Sequence, residues 1–382
     1  MSSSSPVGPP PDAALRLRLL HADAWPEAEP AWRQVFEASG STSFFMGPEW
    51  VGAWLSTFGL DLDARVVLLE DAGVPVAAAV LAQAKGRLPL VPARQLHFHT
   101  SGEPVLDSPV VEFTSFLARP DRRAAALTAF TSLVQARRWD EFVLSGVTEP
   151  ALEEFRRAVP AWRVNVEWRP TYSVDLAELR RANTRYETVL SRNSRDQLQR
   201  SLKLYRERAD LTVDVARTPE EASAFFDELG VLSEQRWQAR GFPSAFESLP
   251  WRQFHARLIA LAFQQGAIQM VRVRAGDATI GVLYNLVHGG VVSFYQSGLR
   301  FEPDNRFKPG QVTHALAIQA CVDAGHEVYE FMAAEGPEGS RYKASLATQT
   351  GRLAWAAFRR KTPRTIAAVA VEEARRRLGR RR

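Results

Sequence analysis

The sequence predicts an α/β protein in which one fold is written twice, and three observations carry that prediction. The chain is 382 residues long, about two to three times the usual domain length. Its apolar segments switch between helical and strand periodicity along most of that length. The order helix, strand, turn, strand, helix, strand occurs in both halves, and the Pro120-to-Phe142 and Pro309-to-Phe331 intervals are both 22 residues.

Residues 1–14 are rich in Ser, Pro and Gly with no charged start or apolar run, which predicts a disordered leader rather than a signal peptide. The first copy, 15–175, carries a helix at Pro48–Thr57 with Trp50 and Trp54, then strands at Arg65–Glu70 and Val74–Gln83 on either side of Gly73. A helix over Asp121–Arg138 and a strand over Glu141–Leu144 complete it. The segment 176–210 joins the copies. Its helical signal runs from Asn183 to Arg208, with Leu198, Leu202 and Tyr205 as an apolar stripe among Arg192, Arg195, Arg200, Lys203, Arg206 and Arg208. Such a helix packs the stripe and solvates its cations; polyanion binding is the alternative.

The second copy, 211–358, predicts a strand at Thr212–Ala216, helices at Pro219–Arg240 and Leu249–Gln265, and strands at Ile268–Arg274, Thr279–His288 and Val291–Ser297. A helix at Gly310–Ala324 and a strand at Val328–Met332 follow. Gly289-Gly290 is a hairpin turn, since both residues accept positive φ. Residues 359–382 form a basic tail.

Charge is distributed unevenly. The formal net charge is +5, but the tail alone carries +8, so residues 1–358 sum to −3. The body therefore gives no general argument for nucleic acid. The tail, with Ile366, Val369, Ala370 and Leu378 among its arginines, is either a solvated terminus or a basic amphipathic helix in weak contact with anionic lipid.

Several classes are excluded. The single cysteine, Cys321, rules out an intramolecular disulfide and a thiolate zinc site, and its apolar helical setting reads as core. No apolar run approaches the ~20 residues of a membrane span, which predicts a cytoplasmic protein. No GxxxxGK[ST], GxGxxG, HExxH or GxSxG motif is present. His97 and His99 would share a strand face, but no third ligand is close in sequence, and no metal is expected.

The strongest chemical candidate is Arg306-Phe307-Lys308-Pro309-Gly310-Gln311, at the mouth of the Gly310–Ala324 helix. Free N–H groups and the helix dipole favour a phosphate there, and Arg306 and Lys308 add positive charge. The preceding strand ends Tyr295-Gln296-Ser297-Gly298, so a strand end lies beside a phosphate-binding helix start. That geometry suits an acyl thioester.

These residues resemble the GNAT acyltransferases, and more closely their duplicated members, the FemAB-like proteins and the CelD-type acetyltransferases of polysaccharide-biosynthesis clusters. The resemblance runs from about Phe44 to Trp355. Its pieces are Glu234-Gln235-Arg236-Trp237 with Gly241 and Phe246, then Gly281, Tyr295-Gln296-Ser297-Gly298, Pro309-Gly310, Tyr329-Glu330-Phe331 and Tyr342-Lys343. It implies two tandem GNAT-like domains with a mixed, mostly antiparallel sheet flanked by helices. It also implies acyl-CoA or acetyl-CoA as the donor and an amine of a small molecule, sugar or peptide as the acceptor.

By the same resemblance, Arg306, Lys308, Gly310 and Gln311 occupy the pyrophosphate loop, with Ser297 on the donor strand. Glu335 is the candidate base, Tyr342 or Tyr295 the proton donor to the leaving thiolate, and Lys343 a stabiliser of oxyanion charge. Arg236 and Trp237 are candidates for the acceptor wall. Asp121 at the corresponding helix mouth of the first copy would repel an anion, so that copy is expected not to bind CoA and to shape the acceptor groove. Two rivals stay open: aminoacyl transfer from tRNA, with acyl carrier protein a further possible donor partner, and a scaffold that has lost its donor site.

Overall fold

A computed structural model describes residues 15–61, 63–88, 91–239, 241–334 and 336–379. The first run of elements is β1 (Arg16–His21), α1 (Trp25–Ser39), α2 (Pro48–Phe58), β2 (Ala64–Asp71), β3 (Val74–Leu88), β4 (Val91–Phe98), β5 (Leu117–Ala118), α3 (Arg123–Ala136), β6 (Glu141–Val147), α4 (Glu149–Ala158) and β7 (Arg163–Asp175). Three helices connect the runs: α5 (Leu176–Arg181), α6 (Tyr186–Val189) and α7 (Arg192–Arg208). The second run is β8 (Leu211–Val215), α8 (Pro219–Gln238), α9 (Leu249–Ala262), β9 (Ile268–Ala275), β10 (Ala278–His288), β11 (Val291–Leu299), α10 (Pro309–Asp323), β12 (Val328–Ala333), α11 (Gly336–Ala344) and β13 (Gln349–Arg359), with α12 (Pro363–Gly379) after it. The short β5 aside, the two runs match element for element.

Local chemistry sets many boundaries. Ser191 turns extended and accepts the Ser194 N–H, so the helix expected from Asn183 breaks and α7 starts afresh at Arg192. Thr218 and Ser248 cap α8 and α9 in the same way. Gly289 and Gly290 take φ of 55° and 78°, as the β10–β11 hairpin requires.

The strands form one sheet in the order β1-β2-β3-β4-β6-β13-β7-β12-β11-β10-β9-β8, with β5 on the edge of β3. It is antiparallel except where β4 meets β6 and β11 meets β12. Each run gives its last strand to the other: β13 pairs with β6 and β7 with β12. The exchanged strands pair with one another from Gln349↔Ser173 to Arg359↔Arg163.

On one face of the sheet a single core joins α1 and α2 to α8 and α9. Trp50 of α2 meets Phe254 of α9 edge-on at 5.0 Å, and Phe58 stacks on Phe254 at 6.1 Å. Buried side chains of this size contribute ~1.5–3 kcal/mol each, so α2 and α9 lock the two copies together. The other face has two separate cores, one under α3 and α4 and one among α5, α6, α7 and α10. The stripe expected on α7 is buried at Leu198, Leu202 and Tyr205.

The tail differs from the solvated terminus expected. Thr365, Ala368 and Val369 of α12 are buried, with Ala368 against Leu88 and Ala93. Arg359–Glu372, Arg364–Asp140 and Arg163–Glu373 ion pairs hold the helix down. Val369, one of the apolar residues a lipid contact would use, is thus committed to the protein. No helix of the described residues is long and apolar enough to cross a membrane.

Candidate functional site

β11 and β12 pair only from Val291–Ser293 to Val328–Glu330 and then diverge. Irregularities on both strands shape the divergence. On β11 the register slips at Tyr295, opposite the Tyr284–Asn285 step. On β12 it slips between Glu330 and Ala333, where Met332 takes a φ of 63°. A non-glycine residue in that region is strained and marks a site the surrounding structure has fixed. The result is a V with Ser293 and Glu330 at its apex and Leu299 at its mouth.

α10 opens at that mouth. Lys308 precedes Pro309 with φ −120° and ψ 71° and supplies no side-chain cap to the first turn. Its backbone N–H is tied to Ser201 Oγ of α7 at 2.9 Å. A cavity of about 440 Å³ lies here, with Arg236, Arg300, Lys308, Gly310, Gln311 and Tyr342 in its wall. The wall carboxylate, Glu302, is engaged by Arg208 at 3.0 Å and by the Tyr205 hydroxyl at 3.3 Å. Arg300 also pairs with Glu302, at 3.8 Å, so Arg208 and Arg300 offset the one carboxylate among the described wall residues, which carry more cations than carboxylates at an uncapped helix N-terminus.

Four buried polar atoms cluster behind the mouth without a hydrogen-bond partner among the described residues: Gln311 Oε1, Thr313 Oγ1, His314 Nε2 and the Tyr342 hydroxyl. A Cβ on Gly310 would collide with that hydroxyl, so glycine is what lets α11 bring Tyr342 against the helix mouth. Burial holds the Tyr342 phenol protonated, well above its ordinary range. His314 bonds the Tyr329 hydroxyl through Nδ1 at 3.1 Å, and burial lowers its pKa to about 3, so the ring is neutral.

The other residues expected here are placed as follows. Arg306 does not line the cavity; its guanidinium grips Asp304 at 2.7 and 3.1 Å and is largely exposed. The Ser297 N–H donates to the Gln296 side chain at 3.0 Å. Tyr295 packs among Phe45, Trp50, His255 and Tyr284. Lys343 Nζ donates to the Ala333 carbonyl at 2.6 Å and reaches that of Met332 at 3.4 Å, securing the diverging end of β12. Trp237 is part-exposed and meets Phe242 edge-on at 6.4 Å. Glu335 lies outside the described residues.

Two carboxylates that the sequence reading left unassigned stand at the apex. Glu330 is buried, accepts the Met332 N–H at 2.8 Å, and is pushed up to about 8 by burial. Glu112, from the loop after β4, accepts the Ala333 N–H at 2.8 Å. The signal for Glu330 was available: an acid between two aromatics in a core strand, Tyr329-Glu330-Phe331, needs a reason to be there.

The corresponding V of the first copy is filled. β4 and β6 pair over Gln95–Phe98 and Glu141–Leu144, after which the chain folds back into the gap. Thr114 donates to Gly146 O at 3.0 Å through its N–H and to Ser145 O at 2.7 Å through its hydroxyl. Gly146 takes a φ of 60°, and a Cβ there would lie 2.8 Å from Glu112 Cα. Asp121, near the mouth of α3, is paired with Arg119 at 3.2 Å.

Among the described residues no group of three His, Cys, Asp or Glu side chains could hold a metal ion. His97 and His99 do not continue one strand face, because β4 ends at Phe98 and His99 takes a φ of 57°.

Residues 192–344 match the family model for an acetyltransferase (GNAT) domain. No curated protein matches the chain in sequence. Among solved structures, FemX superposes with a TM-score of 0.54 at 11% identity, over 85% of this chain and 95% of its own. L-PGS from Bacillus licheniformis gives 0.52 at 13% identity over 91% and 95%. A conserved protein of unknown function from Bacteroides thetaiotaomicron gives 0.53 at 7% identity over 91% and 100%. With the repeated element order, the open V and the uncapped α10, these matches show that residues 192–344 are similar to a GNAT acetyltransferase domain and that the chain shares the fold of FemX, with two GNAT-like copies in tandem.

Proposed function

We propose that the chain is an acyl-CoA-dependent N-acyltransferase working in the cytoplasm. It transfers an acetyl or longer acyl group to an amine of a small molecule, sugar or peptide, in cell-envelope or polysaccharide biosynthesis. The copies 15–175 and 211–358 divide the labour as two domains, and the second binds the donor. The observation that carries this reading is the open V ending at an uncapped helix mouth beside three cations and a buried, protonated phenol.

The donor's pyrophosphate takes the Gly310 and Gln311 N–H groups, with Lys308, Arg236 and Arg300 around it. The pantetheine arm runs into the V, replacing strand pairing that β11 and β12 forgo. The acceptor nitrogen attacks the thioester carbonyl, the tetrahedral oxyanion collapses, and the C–S bond breaks. The proton lost by the acceptor nitrogen ends on the departing thiolate, while Tyr342, a phenol held protonated by burial against Gly310, donates to the donor's phosphates at the mouth.

Thermal unfolding with CoA and acyl-CoAs tests the reading: a ligand at 100 times its dissociation constant stabilises by about 2.7 kcal/mol. A shift with thioesters supports it; no shift with any of them contradicts it.

A second reading takes aminoacyl-tRNA as donor. α7 borders the same cavity through Gln197 and exposes Arg192, Arg200, Lys203 and Arg206. That reading requires tRNA affinity falling steeply with salt.

A further inference from the structure

A second cavity, of about 360 Å³, opens at the apex of the V and takes its walls from both copies. The first copy supplies the α1–α2 loop, with Ser41, Thr42, Ser43 and the rings of Phe44 and Phe45, together with Phe113, Ser115 and Thr148. Ser293 and Glu330, the last pair before β11 and β12 part, belong to the second. Phe113 is a non-glycine residue at a φ of 52°, a strained backbone that carries its ring to this wall. Ser43 Oγ is buried there without a partner among the described residues.

We infer that this cavity is the acceptor site, that its ligand is a small hydroxylated primary amine bearing no phosphate, and that Glu330 is the base that takes the amine's proton. The inference rests on the acyltransferase reading of the neighbouring cleft.

Three features select that ligand. The wall alternates aromatic faces with hydroxyls, which suits a compact polyhydroxylated body such as an amino sugar. No Lys, Arg or His is among the described lining residues, and the ionisable group present is a carboxylate. Once Glu330 is ionised, a phosphate or nucleotide on the acceptor would meet its charge, and no cation stands among the described lining residues to offset it. A neutral amine, its ammonium proton already lost to solvent, instead meets Glu330, which is not ion-paired to a cation among the described residues.

Position agrees with chemistry. Leu299 at the mouth lies six residues beyond Ser293 at the apex, about 20 Å of strand. An extended pantetheine arm anchored at α10 spans that distance and delivers its thioester to Glu330. As the amine attacks, a nitrogen lone pair forms the N–C bond, and the N–H proton passes to a Glu330 oxygen. The charged groups facing Glu330 are Glu112 from the first copy's loop and Lys343 from α11; the first raises and the second lowers its proton affinity, and burial outweighs both.

The test is calorimetric titration of the full chain with D-glucosamine, N-acetylglucosamine and glucosamine 6-phosphate, with CoA titrated separately. Glucosamine should bind the wild type, and at least tenfold more weakly to Glu330→Gln, while CoA binds both proteins equally. The acetylated and phosphorylated sugars should bind at least tenfold more weakly than glucosamine. Equal affinity for glucosamine in wild type and variant, binding of the 6-phosphate as tight as glucosamine, or no glucosamine binding would each overturn the inference. Failure of CoA to bind while glucosamine does would overturn the donor reading instead. In the presence of acetyl-CoA, loss from Glu330→Gln of a pH limb near 8 in acetyl transfer to glucosamine separates a base from a packing residue.

Discussion

Glu141 and Glu330 are buried carboxylates at opposite ends of the corresponding parallel ladders, Glu141 in the first pair and Glu330 in the last, and they are treated oppositely. Each is buried in the strand that runs parallel to its neighbour, opposite Gln95 in one copy and Ser293 in the other. The residue facing Glu141 on the exchanged strand is Arg359; the residue facing Glu330 is Ser173. Arg359 donates to Glu141 at 2.8 Å and to Glu372 of α12 at 3.0 Å. Glu330 has backbone N–H groups and a pKa of about 8. The clefts of the two copies repeat the contrast, one filled beyond Leu144 by Thr114 and its loop, the other open beyond Glu330 to a cavity. A buried carboxylate ion-paired to an arginine holds structure together; one whose burial outweighs the charges around it is a group able to exchange a proton. The first copy's cleft is filled by its own chain, and the second copy's cleft is open.

The sharpest way to break the comparison is to remove the matched charge. Arg359→Leu should destabilise by about 3–5 kcal/mol in urea unfolding at pH 7, because it leaves Glu141 buried and uncompensated. Adding Glu141→Gln should recover most of that loss. Equal stability of wild type and single variant would mean the pair is not what distinguishes the copies.

The unmatched charge should act through pH. The Glu330 pKa lies near 8, against 4.5 ordinarily. Its contribution to stability is therefore complete below the unfolded value and is lost as pH rises through the folded one. Relative to Glu330→Gln, the wild type should lose on the order of 3 kcal/mol between pH 5 and pH 7. Parallel stability curves for the two proteins would remove the distinction.

The filled cleft gives a smaller effect. Gly146→Ala must place a Cβ against the Glu112 backbone at positive φ, which should cost about 1–3 kcal/mol. Smaller still are the charge changes at the helix mouths. Lys308→Ala should weaken CoA binding about tenfold, the worth of one charge-assisted hydrogen bond. Arg306→Ala should change it less than about twofold, since that side chain is already spent on Asp304.

Much of the cleft at the α10 mouth was legible in the sequence because it is local. The Lys308-Pro309-Gly310-Gln311 helix mouth depends on residues close together in the chain; the equal Pro-to-Phe intervals found the repeat but missed its register by three residues, since Leu144 takes the place of Glu330 and α3 opens at Arg123. Tyr342 was singled out as well, although its seat on α11, against Gly310, needed coordinates. Arg306 misled for an equally local reason: Asp304, two residues back, competes for it. The exchange of β7 and β13 was not legible, because pairing across some 180 residues leaves no periodic trace. β7 itself alternates polar and apolar residues, from Arg163 to Arg169, as a strand with one wet face does. The docking of α12 was hidden because its buried side is made of small residues, Thr365 and Ala368 with Val369. Glu330 served as a landmark of the repeat and could gain a role only once its facing residue was known to be a serine.

The central claim is that one of the two clefts, the second, holds the donor. Calorimetric titration of acetyl-CoA into wild type, Gly310→Val and Asp121→Lys tests it directly. The account predicts one site per chain, lost in Gly310→Val, where the added side chain meets Tyr342, and unchanged in Asp121→Lys. Binding that survives Gly310→Val, or no binding to the wild type, would contradict it.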